Sequence, residues 1–133
     1  MNPQSVALVK QSWAKVKPIS TVAAELFYNN LFEADPSLRP LFRGDMKQQG
    51  EKLMQMLDVA VSKLDKPDIL IPVLEDLGRR HVSYGVQDAH YQTVGAAFIK
   101  TLSQGLGAEF TEPVKNAWID IYTTMAKVMT SAK

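Results

Sequence analysis

Apolar residues return every three or four positions along nearly the whole chain, and apolar–polar alternation long enough for a strand is hard to find. That periodicity restricts the chain to helices that bury one face against one another. Caps and prolines cut the pattern into pieces. Asn2-Pro3 opens a helix reaching about Val16, Lys17-Pro18 stops it, and a second helix runs from about Ser20 to Ala34. Asp35-Pro36 starts a short segment, Ser37 to Phe42, which Gly44 closes. A long helix from about Met46 to Leu64 turns Gln49, Leu53, Met56, Leu57, Ala60 and Leu64 to one side, until Asp65-Lys66-Pro67 breaks it. The next carries Leu70, Val73, Leu74 and Leu77 and ends before a turn at Gly85. Asp88 is expected to cap a helix presenting Tyr91, Val94, Phe98 and Leu102, with Gly105 and Gly107 ending it. Thr111-Glu112-Pro113 opens the last helix, with Val114, Trp118, Ile121, Met125 and Val128 inward. Residues 1–133 contain no repeat and no Pro/Gly/Ser linker, so they read as one all-α domain of about seven helices.

A net charge of +1 provides no field to steer the chain toward nucleic acid. The absence of cysteine excludes disulfides, thiolate metal sites and thiol catalysis together. No apolar run approaches the roughly 18 residues of a membrane helix, and the N-terminus has no signal-peptide pattern. Neither a nucleic-acid partner nor an integral membrane contact is expected, and the default location is the cytoplasm.

His81 stands where the stripe of Leu70, Leu74 and Leu77 calls for another leucine, so its imidazole points inward. Two readings are open there: a core histidine bonded to a backbone carbonyl, or an axial metal ligand, a role neutral imidazole commonly fills. His90 lies off its helix's apolar stripe and reads as a surface or turn residue. With two histidines and no paired carboxylates at helical spacing, zinc chemistry has no basis. Gly105-x-Gly107 follows a helix instead of a strand, so it is a helix stop and not a phosphate loop. Tyr28 and Gln49 are polar groups on apolar faces, and Phe27, Phe32, Phe42 and Phe98 taken singly are ordinary core aromatics.

Their order along the chain says more. Leu26-Phe27-Tyr28-Asn29-Asn30-Leu31-Phe32, Asp35-Pro36, Arg39-Pro40-Leu41-Phe42, Gln49 before Lys52-Leu53, Leu77-Gly78-Arg79-Arg80-His81 and Gly85-Val86 together resemble the globins. The likeness is to single-domain bacterial haemoglobins and the globin half of flavohaemoglobins. His90-Tyr91 with Val94-Gly95, and Ala117-Trp118 with Tyr122, extend it. Leu57-Asp58-Val59-Ala60-Val61 and the Leu-Gly-Arg-Arg-His run are also similar to neuroglobin.

The resemblance implies a globin fold packed around haem b, iron protoporphyrin IX, with His81 as the proximal iron ligand and Phe42 against the porphyrin face. It places Tyr28 and Gln49 at the gas-contacting positions with Leu53 beside them. Leu77, Arg80, Val86, Tyr91, Val94 and Phe98 complete the cofactor's surroundings, Tyr91 near the proximal histidine. Where flavohaemoglobins carry a glutamate near the end of the last helix, this chain aligns Lys133. Gln49 replaces the distal histidine of neuroglobin, so ligation by a second histidine is not expected; Tyr28 and Lys52 stay as candidate ligands of ferric iron. The implied function is reversible, high-affinity oxygen binding, for scavenging or transport, with carbon monoxide and nitric oxide as further ligands. The alternative is a nitric oxide dioxygenase served by a separate flavin reductase. A third possibility is a helical scaffold without haem.

Overall fold

Prolines and side-chain caps set most helix starts in the computed structural model, which describes residues 2–42 and 44–132. Six α-helices follow one another: α1 Pro3–Val16, α2 Ser20–Ala34, α3 Met46–Ser62, α4 Pro67–Ser83, α5 Asp88–Leu106 and α6 Glu112–Ser131. Short 3-10 turns span Lys17–Ile19, Pro36–Leu41 and Gly107–Glu109. There is no strand among the described residues. Asn2 accepts a hydrogen bond from the Gln4 amide at 2.8 Å, and Asp45 accepts one from the Lys47 amide at 2.8 Å, each satisfying a first-turn N–H.

The structure corrects the expected boundaries in four places. The seventh helix is the Pro36–Leu41 turn, which winds as 3-10 because Pro36 and Pro40 bring no amide protons to an α-helical ladder. The long helix stops at Ser62, two residues short of Leu64. α5 is capped by Gln87 and not by Asp88, since Gln87 and His90 exchange bonds across the first turn, the Gln87 amide donating to His90 Nδ1 at 3.0 Å. That helix also runs through Gly105 and stops only at Gly107, whose φ of +57° lies in the left-handed region that favours glycine.

Glycines let the helices approach closely. A Cβ on Gly78 of α4 would lie 2.3 Å from the Met129 carbonyl oxygen of α6, and one on Gly95 of α5 would lie 2.6 Å from the Tyr122 ring. One on Gly50 of α3 would sit 2.9 Å from the Ala24 methyl of α2. Accordingly α4 packs on α6, α5 on α2 and α6, and α3 on α2 and α1, while α3 and α4 meet each other at most marginally. The separation of α3 from α4 positions the site.

Val9, Leu31, Leu70, Leu102, Trp118 and Ile121 are the fully buried centre. The buried polar side chains are tied: Trp118 donates to Ser12 Oγ at 2.8 Å, and Asn30 of α2 donates to Thr101 Oγ1 of α5 at 3.1 Å. On α3 the buried residues are Gly50, Met54, Ala60 and Val61, Ala60 as expected, whereas Gln49, Leu53 and Leu57 are only half-buried. The apolar face expected from periodicity is therefore two adjoining faces, of which the first packs on helices.

Candidate functional site

His81 comes from the last turn of α4, half-buried, one turn after the half-buried Leu77. Its Nδ1 lies 3.1 Å from the phenol oxygen of Tyr91 on α5. Tyr91 is held in turn, because the Tyr122 hydroxyl of α6 donates to the Tyr91 carbonyl at 2.6 Å. The glycine at position 95 leaves the space in which the Tyr122 ring lies. Burial, and then the neighbouring Arg80 charge, lower the pKa of His81, so the ring is neutral at pH 7. Arg80 itself is exposed and paired with Asp76 at 2.8 Å. Val86 folds back on the same turn, its amide donating to the His81 carbonyl at 2.9 Å.

Tyr28 is buried at the crossing of α2 and α3, and its hydroxyl donates to the main-chain carbonyl of Gln49 at 3.3 Å. That is a long bond for an O–H donor, and so a weak one. The ring is walled by Phe27, Phe32 and Phe42 at centroid distances of 5.2, 5.9 and 5.3 Å. Burial pushes the Tyr28 phenol up to about 12, so it stays protonated and acts as a donor. Lys52 is exposed on α3. Phe98 lies in the core against Trp118 at 5.4 Å and Phe27 at 6.3 Å, and Val94 is half-buried on the same helix. His90 is used as a helix cap. Lys133 lies outside the described residues.

The expected residues thus fall into two groups, His81 with Tyr91, Leu77 and Val86, and Tyr28 with Gln49 and Phe42. Leu53 and Leu57 of α3, Leu77 of α4, Val94 of α5 and Phe42 after the Pro36–Leu41 turn are apolar yet only half-buried, apolar surface that a bound apolar group would remove from water. One neutral imidazole with Nδ1 already engaged presents Nε2 as the nitrogen that a metal would use. Among the described residues there is no cluster of three or more His, Cys, Asp or Glu able to hold a bare metal ion. A porphyrin, which brings its own four nitrogens, fits this donor set.

Sequence reasoning passed over the Tyr122–Tyr91 bond and the Trp13 indole, which donates to Asp58 of α3 at 2.9 Å. Tyr122 sits four positions after the buried Trp118, and that spacing together with Gly95 was the available signal.

The globin family model matches residues 25–129, and the chain belongs to the globin family. It is 31% identical to a flavohemoprotein of Bordetella parapertussis, an alignment covering 97% of this chain and 33% of that protein. It is 28% identical to the neuroglobin of Dissostichus mawsoni over 92% of this chain and 86% of that one. A similar solved structure is an engineered carbene transferase from Rhodothermus marinus, named as a candidate nitric oxide dioxygenase. It has a TM-score of 0.88 and 26% identity, over 98% of this chain and 92% of that one. The chain therefore spans about a third of the flavohemoprotein it matches, 33%. The fold is the all-α globin fold, and membership of that family implies haem binding. No described helix is long and apolar enough to cross a membrane.

Proposed function

We propose that the chain binds haem b through His81 and takes up oxygen reversibly with high affinity. Haem, when bound, would supply an iron able to take up a diatomic ligand. His81 presents Nε2 to that iron while Tyr91 fixes the ring's rotation through Nδ1. Leu53, Leu57, Phe42, Leu77 and Val94 would cover the porphyrin and keep water away.

The observation that carries the oxygen reading is Tyr28, a buried, protonated phenol whose hydrogen rests on a carbonyl at 3.3 Å. Little is lost when that O–H turns toward a better acceptor. Oxygen draws partial negative charge on binding and carbon monoxide draws far less, so a donor in dry surroundings favours oxygen. A hydrogen bond to a partly charged group contributes about 1–3 kcal/mol, which is about ten- to a hundredfold in affinity. Gln49, whose main-chain carbonyl takes the Tyr28 hydrogen bond, brings a side-chain amide and no second imidazole.

A second reading, nitric oxide dioxygenation with electrons from a separate flavin reductase, is favoured by the names of two relatives, a flavohemoprotein and a candidate nitric oxide dioxygenase. Nitric oxide consumption by the purified protein, with NADH alone and then with NADH and an added flavin reductase, separates the two. Sustained turnover with the reductase supports the enzyme; slow turnover beside tight, reversible oxygen uptake supports the carrier.

A further inference from the structure

Tyr28 and Phe32 stand one helical turn apart on α2, so their rings meet on one face of it, stacked at 5.9 Å and 19°. Phe42 closes the group edge-on, 5.3 Å from Tyr28 and 5.5 Å from Phe32. Of the three rings around Tyr28, Phe27 is buried in the core, whereas Phe32 and Phe42 are only half-buried. Tyr28, Phe32 and Arg39 all line an open cleft of about 800 Å³. On that side the rings meet water, and packing holds them less firmly than a closed core would.

A cation makes up the difference. The Arg39 guanidinium carbon lies over the Phe32 ring, 5.1 Å from its centroid, within the distance at which a cation is drawn to the negative face of an aromatic ring. The arginine starts from fixed backbone: Pro36 and Pro40 set φ on either side of it, Leu38 is buried, and the Phe42 amide donates to the Arg39 carbonyl at 3.1 Å. Arg39 belongs to none of the ion pairs among the described residues, so no carboxylate there draws its charge off the ring. Phe32 is gripped by one cation and two rings, and whatever frees Phe32 frees Tyr28.

We propose that Arg39 is a positioning residue for Tyr28: by clamping Phe32 against the phenol ring it fixes where the Tyr28 hydroxyl lies when it donates to the gas ligand. The role rests on the oxygen-binding reading. A cation–π contact at an exposed side chain changes an equilibrium constant by about two- to fivefold, so Arg39 tunes oxygen retention and does not create it.

Two substitutions separate the charge from the stem. Arg39→Met keeps an unbranched apolar stem and deletes the charge, and Arg39→Lys keeps the charge. On the haem-loaded protein, oxygen dissociation is expected to rise about two- to fivefold in Arg39→Met and less in Arg39→Lys, with carbon monoxide dissociation moving less than either. In a Tyr28→Phe background, Arg39→Met should leave the oxygen off-rate unchanged, because Arg39 acts through the phenol; a merely structural role would move both backgrounds alike. A second arm needs no haem. Denaturant unfolding of the full chain, in a double-mutant cycle of Arg39→Met with Phe32→Leu, is expected to show a coupling of about two- to fivefold in the unfolding constant. An off-rate unmoved in Arg39→Met, equal shifts in Arg39→Met and Arg39→Lys, the same factor in the Tyr28→Phe background, or no coupling in the cycle overturns the role. A chain that takes up no haem fails differently: it overturns the oxygen-binding reading and the role with it, while the cycle still shows whether Arg39 holds Phe32.

Discussion

Tyr91 holds its phenol oxygen 3.1 Å from Nδ1 of His81, and the Tyr122 hydroxyl of α6 holds the Tyr91 backbone at 2.6 Å. Three helices thereby fix the rotation of one imidazole. Removing an outer partner of a metal-binding histidine commonly costs about ten- to a hundredfold in metal affinity. Tyr91→Phe is accordingly expected to take up haem but release it to an apo-globin acceptor about tenfold faster or more. Release at the wild-type rate would show that the contact does not orient the ligand.

Tyr28→Phe keeps the ring among Phe27, Phe32 and Phe42 and deletes only the donor. Oxygen dissociation is expected to rise about ten- to a hundredfold, with carbon monoxide affinity much less affected. Rapid displacement of oxygen by carbon monoxide measures it. Unchanged off-rates in both Tyr28→Phe and Gln49→Leu would mean that neither group reaches the ligand.

Burial, and then Arg80, hold the pKa of His81 below the ordinary 6.5. Between 6.5 and the lowered value the unfolded chain binds more protons than the folded one, so stability rises with pH. The contribution of neutral His81 is fully present above 6.5 and is lost as pH falls through the folded value. Urea titrations of the apoprotein at stepped pH should show the midpoint dropping below pH 6.5, with a flatter profile in His81→Gln. Equal slopes in the two proteins would contradict the assignment.

Gly78→Ala tests the α4–α6 contact that carries His81, since the added methyl would meet the Met129 carbonyl at 2.3 Å. Backbone cannot rotate away as a side chain can, so the helices must part, at a cost of about 1–3 kcal/mol. Denaturant unfolding should give a lower midpoint with an unchanged slope. A variant as stable as the parent would show that α4 slides freely on α6.

How far the sequence carried the structure depended on the kind of signal. The starts of α1 and α6 and both ends of α2 were legible, because proline and cap residues act locally and tolerate little displacement. The start of α5 was not, since the reciprocal Gln87–His90 bonds depend on side-chain geometry that composition does not reveal. On α3 the periodicity pointed inward but could not divide Gly50 and Met54, which pack on helices, from Leu53 and Leu57, which stay half-buried. Tyr28 and Gln49 were singled out together from the order of motifs, yet their contact runs through a main-chain carbonyl, which no side-chain pattern encodes.

In the proposed function His81 and the half-buried Leu53, Leu57, Phe42, Leu77 and Val94 hold haem for a diatomic ligand. Absorption spectra of the protein after loading with haem b, in ferric, deoxygenated, oxygenated and carbon monoxide forms, test it directly. The expected result is a Soret band at one haem per chain that shifts reversibly with oxygen, is lost in His81→Ala unless imidazole is added, and is kept in His90→Ala. No Soret band after loading, or equal loss of haem from the two histidine variants, would contradict it.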